Sequence, residues 1–525
     1  MENESDVCEA HVWQAEGGLT EAALLEVFAW LGGAELARAG AVCRAWRAAA
    51  AAPALWRRLL ARAPGAASLD ALYESREWRS EYVNAAAPWE LRARLAAGAP
   101  LVHAALAPGG ARLALATDDA AVLIWERTEE DQWRPAWSRS VRARGWRGVA
   151  RAEWPRADSR RLLLAGPLAA ARRWELLVLQ QQEREEEWCV VSRAGCSAGA
   201  GGCWAGGAAF VALELRQLGA AHYATTVWLN AATQETQSEY AGVTTPLLRV
   251  YNEEKATITH VAVAEAPLDC AGDRALRDSS QVGQSRTHAT LQTLVCGFSG
   301  TSGALRAWGL SALQPPPLLA TGDLRARAAA RRAARRAAAA AADPDADAAE
   351  PELDEAAVRA MCTPHEHECR LPGPLVGLVI QTDGRCAWAC TAGARVTCVA
   401  LPALRALRCL APPAPDPAPA LFDLHYVHPA VSDCYIVAPA GGRSGAVCVW
   451  SARSGARGPA LAHAAPALAA ALPPPAPLTP REPHAPPAPR TLLVLAADHI
   501  YVWRSRATPQ PDRAAADTWL PCDSS

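Results

Sequence analysis

Lysine is almost missing from this chain: Lys255 stands alone among 52 basic residues. Positive charge is therefore carried by guanidinium groups, which stay ionised and offer a planar fork but cannot accept ubiquitin or acetyl on an amine. Lysine-directed modification of this chain has one address. Only two Met and four Phe occur, against twenty Trp. Ile and Asn are also scarce while Ala, Arg, Gly and Pro abound, a skew of base composition that makes overall composition a poor guide to function. No charged-then-apolar leader opens the sequence, and Arg, Pro or Gly breaks every Ala-rich tract before eighteen strongly apolar residues accumulate, so no membrane span is expected. A net charge of −2 gives no overall affinity for polyanions, and no nucleic-acid partner is expected. Missing too are a phosphate-cradling Gly loop, a G-x-S-x-G elbow, an H-E-x-x-H pair and a double C-x-x-C, which argues against catalysis and against a cofactor. The sixteen Cys lie mostly singly inside apolar runs such as RVTCVAL and GAVCVW, the usage of reduced, buried thiols in a cytoplasmic or nuclear protein.

What is present is a repeat. ARLALATDDAAVLIW ends at Trp125, TLVCGFSGTSGALRAW at Trp308, CYIVAPAGGRSGAVCVW at Trp450 and TLLVLAADHIYVW at Trp503. Each reads as strand, tight turn, strand: apolar alternation, a Gly/Asp/Ser break, then apolar residues running into Trp. Weaker hairpins follow the same rhythm at 161–168 with 174–180, at 202–230, at 258–266 and at 377–401. These segments resemble WD repeats, in which a blade is a four-stranded sheet of about 40 to 45 residues. The resemblance implies a propeller of six to eight blades, with seven the commonest number, and a Trp closing the third strand. The Asp of the WD pair is replaced by Glu126, Gly309, Ser451 and Arg504, so the repeats are degenerate. Such Trp side chains are expected to pack between blades rather than meet ligands.

Ahead of the repeats, LTEAALLEVFAWLGGAELARAGAVCRAWRAAAAAPALWRRLL over 19–60 packs several short apolar helices into little chain. Its Leu19, Val27, Phe28, Leu31, Leu36, Val42, Cys43, Arg44, Trp46, Leu55 and Trp56 occupy, in order and spacing, the places of an F-box: a leading Leu, an apolar ridge, V-C-R-x-W and a closing L-W. Thr20 stands where that family has Pro, and can cap the helix instead. The resemblance implies that Leu19, Val27, Phe28, Leu31, Leu36, Val42, Cys43, Trp46 and Trp56 contribute to a surface for the Skp adaptor, with Phe28, Leu31, Val42 and Trp46 as anchors.

An F-box followed by a propeller is the order of the F-box/WD-repeat substrate receptors. The fold expected is a small all-α F-box and an all-β WD-repeat propeller, divided as a flexible N-terminus (1–18), F-box (19–62), helical linker (63–95), first part of the propeller (96–310), low-complexity insertion (311–371), second part of the propeller (372–508) and flexible tail (509–525). The family's role implies the substrate-recognition subunit of an SCF-type cullin-RING ubiquitin ligase, with Skp adaptor, cullin and protein substrates as partners, and a link to centriole duplication. The alternative is a propeller scaffold or cullin-4 receptor with a non-functional F-box. Trp450 with Arg453 and Trp503 with Arg506 match the W-x-x-R part of a motif that meets the damage-binding adaptor of cullin-4 ligases, although both lack its Asp. CTPHEHEC gathers Cys362, His365, His367 and Cys369, but four ligands within eight residues strain a tetrahedral site, and no metal is assigned. The Ala/Arg block near 324–342 reads as a solvated helix beside the acidic run from Asp343 to Glu355.

Overall fold

The computed structural model describes residues 19–64, 78–130, 132–169, 173–182, 187–197, 201–218, 222–233, 244–253, 256–267, 290–298, 303–310, 355–392, 395–412, 427–432, 434–440, 445–463, 465–472 and 491–505. Lys255, Arg506, the Ala/Arg block and the predicted N-terminal and C-terminal tails fall outside them.

Seven antiparallel sheets of four strands each make up most of the molecule. In chain order, blade 1 spans 101–140, blade 2 151–196, blade 3 202–251, blade 4 258–370, blade 5 375–410 and blade 6 430–462. Blade 7 takes three strands from 467–505 and its outermost strand, β1 (Trp89–Ala96), from the other end of the chain. β1 runs antiparallel to the strand His499–Ser505, with Trp89 opposite Ser505 and Ala96 opposite His499. The ring is thus closed by a pairing across some four hundred residues, and no blade edge is left open at the seam.

Apolar residues gather in seven clusters, one at each interface between neighbouring blades around the ring. That is why alternation within each strand matters: both faces of a blade are covered, and each is buried against a neighbour. Trp125, Trp308, Trp450 and Trp503 all lie on the third strand of their sheets. Three are buried, and Trp503 is half-buried and donates its indole N–H to His463 Nε2 at 3.0 Å.

Two boundaries read from the sequence need correction. The stretch 63–95 is not a helical linker throughout: α5 (Trp78–Ala86) is helical, but β1 then joins blade 7. Its alternating Leu91, Ala93 and Leu95 are a strand pattern whose partner is too remote in sequence to recognise. The insertion of 311–371 likewise ends too late. A short helix, α6 (Glu355–Ala360), packs Val358 beside Ala224, and His367–Arg370 then pairs with Ala304–Gly309 as the fourth strand of blade 4. Low-complexity chain on its N-terminal side hid that strand. CTPHEHEC is consequently drawn out between a helix end and a blade edge, where His365 meets Glu368 at 3.2 Å.

Candidate protein-interaction site

The N-terminal helices form a module with its own core. In α1 (Glu21–Phe28), Thr20 accepts from the backbone N–H of Ala23 at 3.3 Å, supplying the cap that proline would have left to another residue. Leu24 and Phe28, four apart, face inward, and Val27 points out. α2 (Gly33–Ala39) buries Leu36 completely. Cys43 caps α3 (Arg44–Ala50) through its sulfur, which accepts from the N–H of Trp46 at 3.5 Å. The Trp46 ring meets Phe28 edge-on at 5.3 Å. Pro53 opens α4 (Pro53–Ala61), and Trp56, buried, donates its indole N–H to the Ala50 carbonyl at 2.7 Å.

The nine residues expected at the adaptor surface therefore divide. Phe28, Leu36 and Trp56 are core, each 2% exposed or less, and support the surface without presenting atoms to it. Leu31, Cys43 and Trp46 are half-buried. Leu19, Val27 and Val42 are exposed, and with them Trp30, which the sequence reading did not select and which is 82% exposed. Among the described residues six large apolar side chains are exposed, and these four of the six fall within 19–42. Exposed apolar side chains concentrated in one short module make it the candidate interaction surface, whereas singly scattered ones are ordinary. Helical phase could have found Trp30, since it follows Val27 by three positions, on the outward side.

This module is seated on blade 6. Glu81 of α5 is 4% exposed, and its Oε1 accepts hydrogen bonds from the hydroxyls of Ser451 and of Ser454, the latter at 2.9 Å. Ser451 Oγ in turn accepts from the backbone N–H of Arg453 and Ser454. Tyr435 donates to the Asn84 carbonyl at 3.1 Å, the Arg457 N–H to the Pro64 carbonyl at 2.8 Å, and Ala456 belongs to the helical core itself. The position that holds Asp in a WD pair here holds Ser451, and a carboxylate is returned to it by Glu81 from another element. The seat lies at the end of the strand that carries Trp450 and on the turn after it, which holds Arg453. Trp450 is buried, and the Arg453 carbonyl accepts from Arg408 at 2.5 Å, so this loop is committed to intramolecular contacts.

At the hub, His103, His260 and His428 come from the innermost parts of blades 1, 4 and 6, and Arg151 from blade 2. The His103 and His428 rings meet edge-on at 4.1 Å, and His103 Nδ1 accepts from the N–H of Ala152. Burial, and after it the Arg151 charge, holds His103 and His260 down to about 3. His428 is lowered well below the usual range by burial and then by His103. The imidazoles are neutral polar groups of the hub, and Arg151 is paired with Glu153 at 2.9 Å.

Residues 21–62 match the F-box-like family model. No curated protein matches the chain. Among solved structures, the β-propeller domain of Cps50 (Swd1) from Myceliophteria thermophila is similar, at 12% identity and a TM-score of 0.44 over 79% of this chain and 99% of that one. An F-box-like module ahead of a seven-bladed propeller is the arrangement of an F-box/WD-repeat protein in general.

Proposed function

We propose that this chain is the substrate-recognition subunit of an SCF-type cullin-RING ubiquitin ligase, acting in the cytoplasm and also in the nucleus. The observation that carries the reading is the exposed apolar set Leu19, Val27, Trp30 and Val42 on an F-box-like module that is fixed to one face of a propeller. F-box domains generally bind Skp adaptors and propellers bind protein substrates. Held together, the two bring a substrate close to a ligase, and the chain contributes by proximity rather than by chemistry. Ubiquitin transfer belongs to the RING subunit and its conjugating enzyme. The runs PLLRVYNEEKATITHVAVAEA at 246–266, VWSARSG at 449–455 and IYVWRSR at 500–506 are similar to segments of F-box/WD repeat-containing protein 5, which supports a divergent relative of that receptor and, with it, a role in centriole duplication control.

The alternative, a scaffold or cullin-4 receptor with an inert F-box, would use Arg453 or Arg506. Engagement of Ser451 and Ser454, on either side of Arg453, by Glu81 of α5 favours the first reading. Affinity purification of the intact chain beside a Val27→Ala, Trp30→Ala, Val42→Ala variant, with mass spectrometry of the cullins and adaptors recovered, separates them. The Skp adaptor and its cullin are expected with the intact chain only. The damage-binding adaptor recovered equally with both would reverse the assignment.

A further inference from the structure

Successive strands of a blade run in opposite directions, so each blade's turns divide between two faces. Turns between strands one and two and between three and four emerge on one face; turns between strands two and three, and the connections to the next blade, emerge on the other. The helical module sits on the first face, at the turn after strand three of blade 6. The 141–150 connection from blade 1 to blade 2, and Arg173 beside the start of the third strand of blade 2, lie on the opposite one.

The first of these reads VRARGWRGVA and presents Arg142, Arg144 and Arg147, all exposed. It is a built platform rather than a loose loop. Trp146 is 1% exposed, its indole N–H donates to Glu175 Oε2 at 2.7 Å, and it lies so close over Gly166 that a Cβ there would stand 2.3 Å from the ring. The Arg147 N–H donates to the Pro167 carbonyl and the Ala169 N–H to the Gly145 carbonyl, which sets the connection beside exposed Arg173. Arg144, Arg147 and Arg173 make no ion pair among the described residues. Arg142 donates to the Asp119 carbonyl; the neighbouring acids are Asp118, Asp119 and Glu175, and Glu175 is already engaged by Trp146 and Arg193, so four arginines stand against Asp118 and Asp119 and one occupied carboxylate.

We infer that this face is a docking surface for a carboxylate-rich, unphosphorylated peptide segment of a protein partner. Arg142 and Arg144 occupy a 3-10 turn two positions apart, where side chains point about a third of a turn away from one another. Diverging guanidiniums suit several separate carboxylates better than one phosphate, which asks for convergent donors. No exposed large aromatic side chain lies among the described residues of this face, so the stacking that accompanies single-stranded nucleic acid has nothing to use. The inference rests on the receptor reading and names the kind of segment the receptor would hold, on the side away from the adaptor.

The test uses the full chain and fluorescence anisotropy with three labelled probes: a peptide containing eight glutamates, a peptide with two phosphoserines and no Asp or Glu, and a short single-stranded oligonucleotide. Saturable binding of the glutamate peptide is expected, weakened at least about tenfold by R142E/R144E/R147E and by added salt. Arg144→Gln with Arg147→Gln, which leaves the Asp119 contact in place, is a milder pair that should weaken it in the same direction. Absent binding, binding indifferent to both variants, or tighter binding of either other probe would overturn the inference. Skp-adaptor binding, measured on the same samples, keeps the outcomes apart: its loss in the intact chain defeats the receptor reading, whereas its retention with no glutamate-peptide binding defeats this inference alone.

Discussion

Val27 and Phe28 are neighbours in the chain and have opposite fates: one is exposed, the other closes the core of the helical module against Trp46. Truncating them should therefore separate binding from folding. Trp30→Ala with Val27→Ala is expected to cost adaptor affinity by roughly 2 kcal/mol or more while leaving thermal unfolding within a degree or two. Phe28→Ala should instead destabilise the module by about 3 to 5 kcal/mol. Calorimetry and adaptor titration on both variants check this, and equal stability losses would refute the division. The hub histidines give a second residue-level prediction. Their native pKa values lie below the ordinary value of 6.5, so the unfolded chain takes up protons first. Stability is then full above about pH 6.5 and falls as pH drops towards 3, by up to about 1.4 kcal/mol per pH unit for each histidine. A His103→Gln variant should show a shallower fall between pH 6 and 4 in denaturant melts. The sequence announced the V-C-R-x-W motif but left its sides undetermined, because every apolar residue of a small module looks alike until the helical phase of Leu24, Phe28 and Val27 is applied.

Among the elements, α5 makes the junction. It buries the carboxyl group of Glu81, which has no cation partner among the described residues, a costly placement unless hydroxyls satisfy it, as those of Ser451 and Ser454 do. Glu81→Ala is expected to destabilise by about 1 to 3 kcal/mol. It should also split one calorimetric transition into two, module and propeller, whereas Glu81→Gln should preserve a single transition. An unsplit transition in the alanine variant would show that apolar contacts around Ala456 suffice alone. The pairing was not legible beforehand: Glu81 and Ser451 are 370 positions apart, Glu81 belongs to no motif, and Ser451, at the Asp position of a WD pair, names no partner. The third-strand tryptophans were legible because each repeat is local. A hairpin's two strands, its turn and its terminal Trp all lie within about fifteen residues, so pattern and pairing coincide. β1 and the outer strand of blade 4 have partners separated from them by nearly the whole ring or by low-complexity chain, and their patterns had nothing adjacent to pair with.

At the scale of the whole molecule, the ring depends on β1. A chain begun at residue 87 keeps that strand and should remain a soluble, cooperatively folding propeller. One begun at residue 97 exposes the edge of His499–Ser505 and should aggregate or melt at a clearly lower temperature. Similar melting of both fragments would show that the seam is dispensable. With the ring closed and α5 seated, the helical module lies on one face and the arginine platform on the other, so under the proposed function a partner held by one is kept at a fixed distance from the other. The measurement that bears most directly on this account is the affinity of purified Skp adaptor for the intact chain, by isothermal titration, beside the Val27→Ala, Trp30→Ala, Val42→Ala variant. The account predicts a stoichiometric complex that the variant loses at least about a hundredfold, with the propeller's melting unchanged. An intact chain that binds no adaptor, or a variant that binds it equally well, would contradict it.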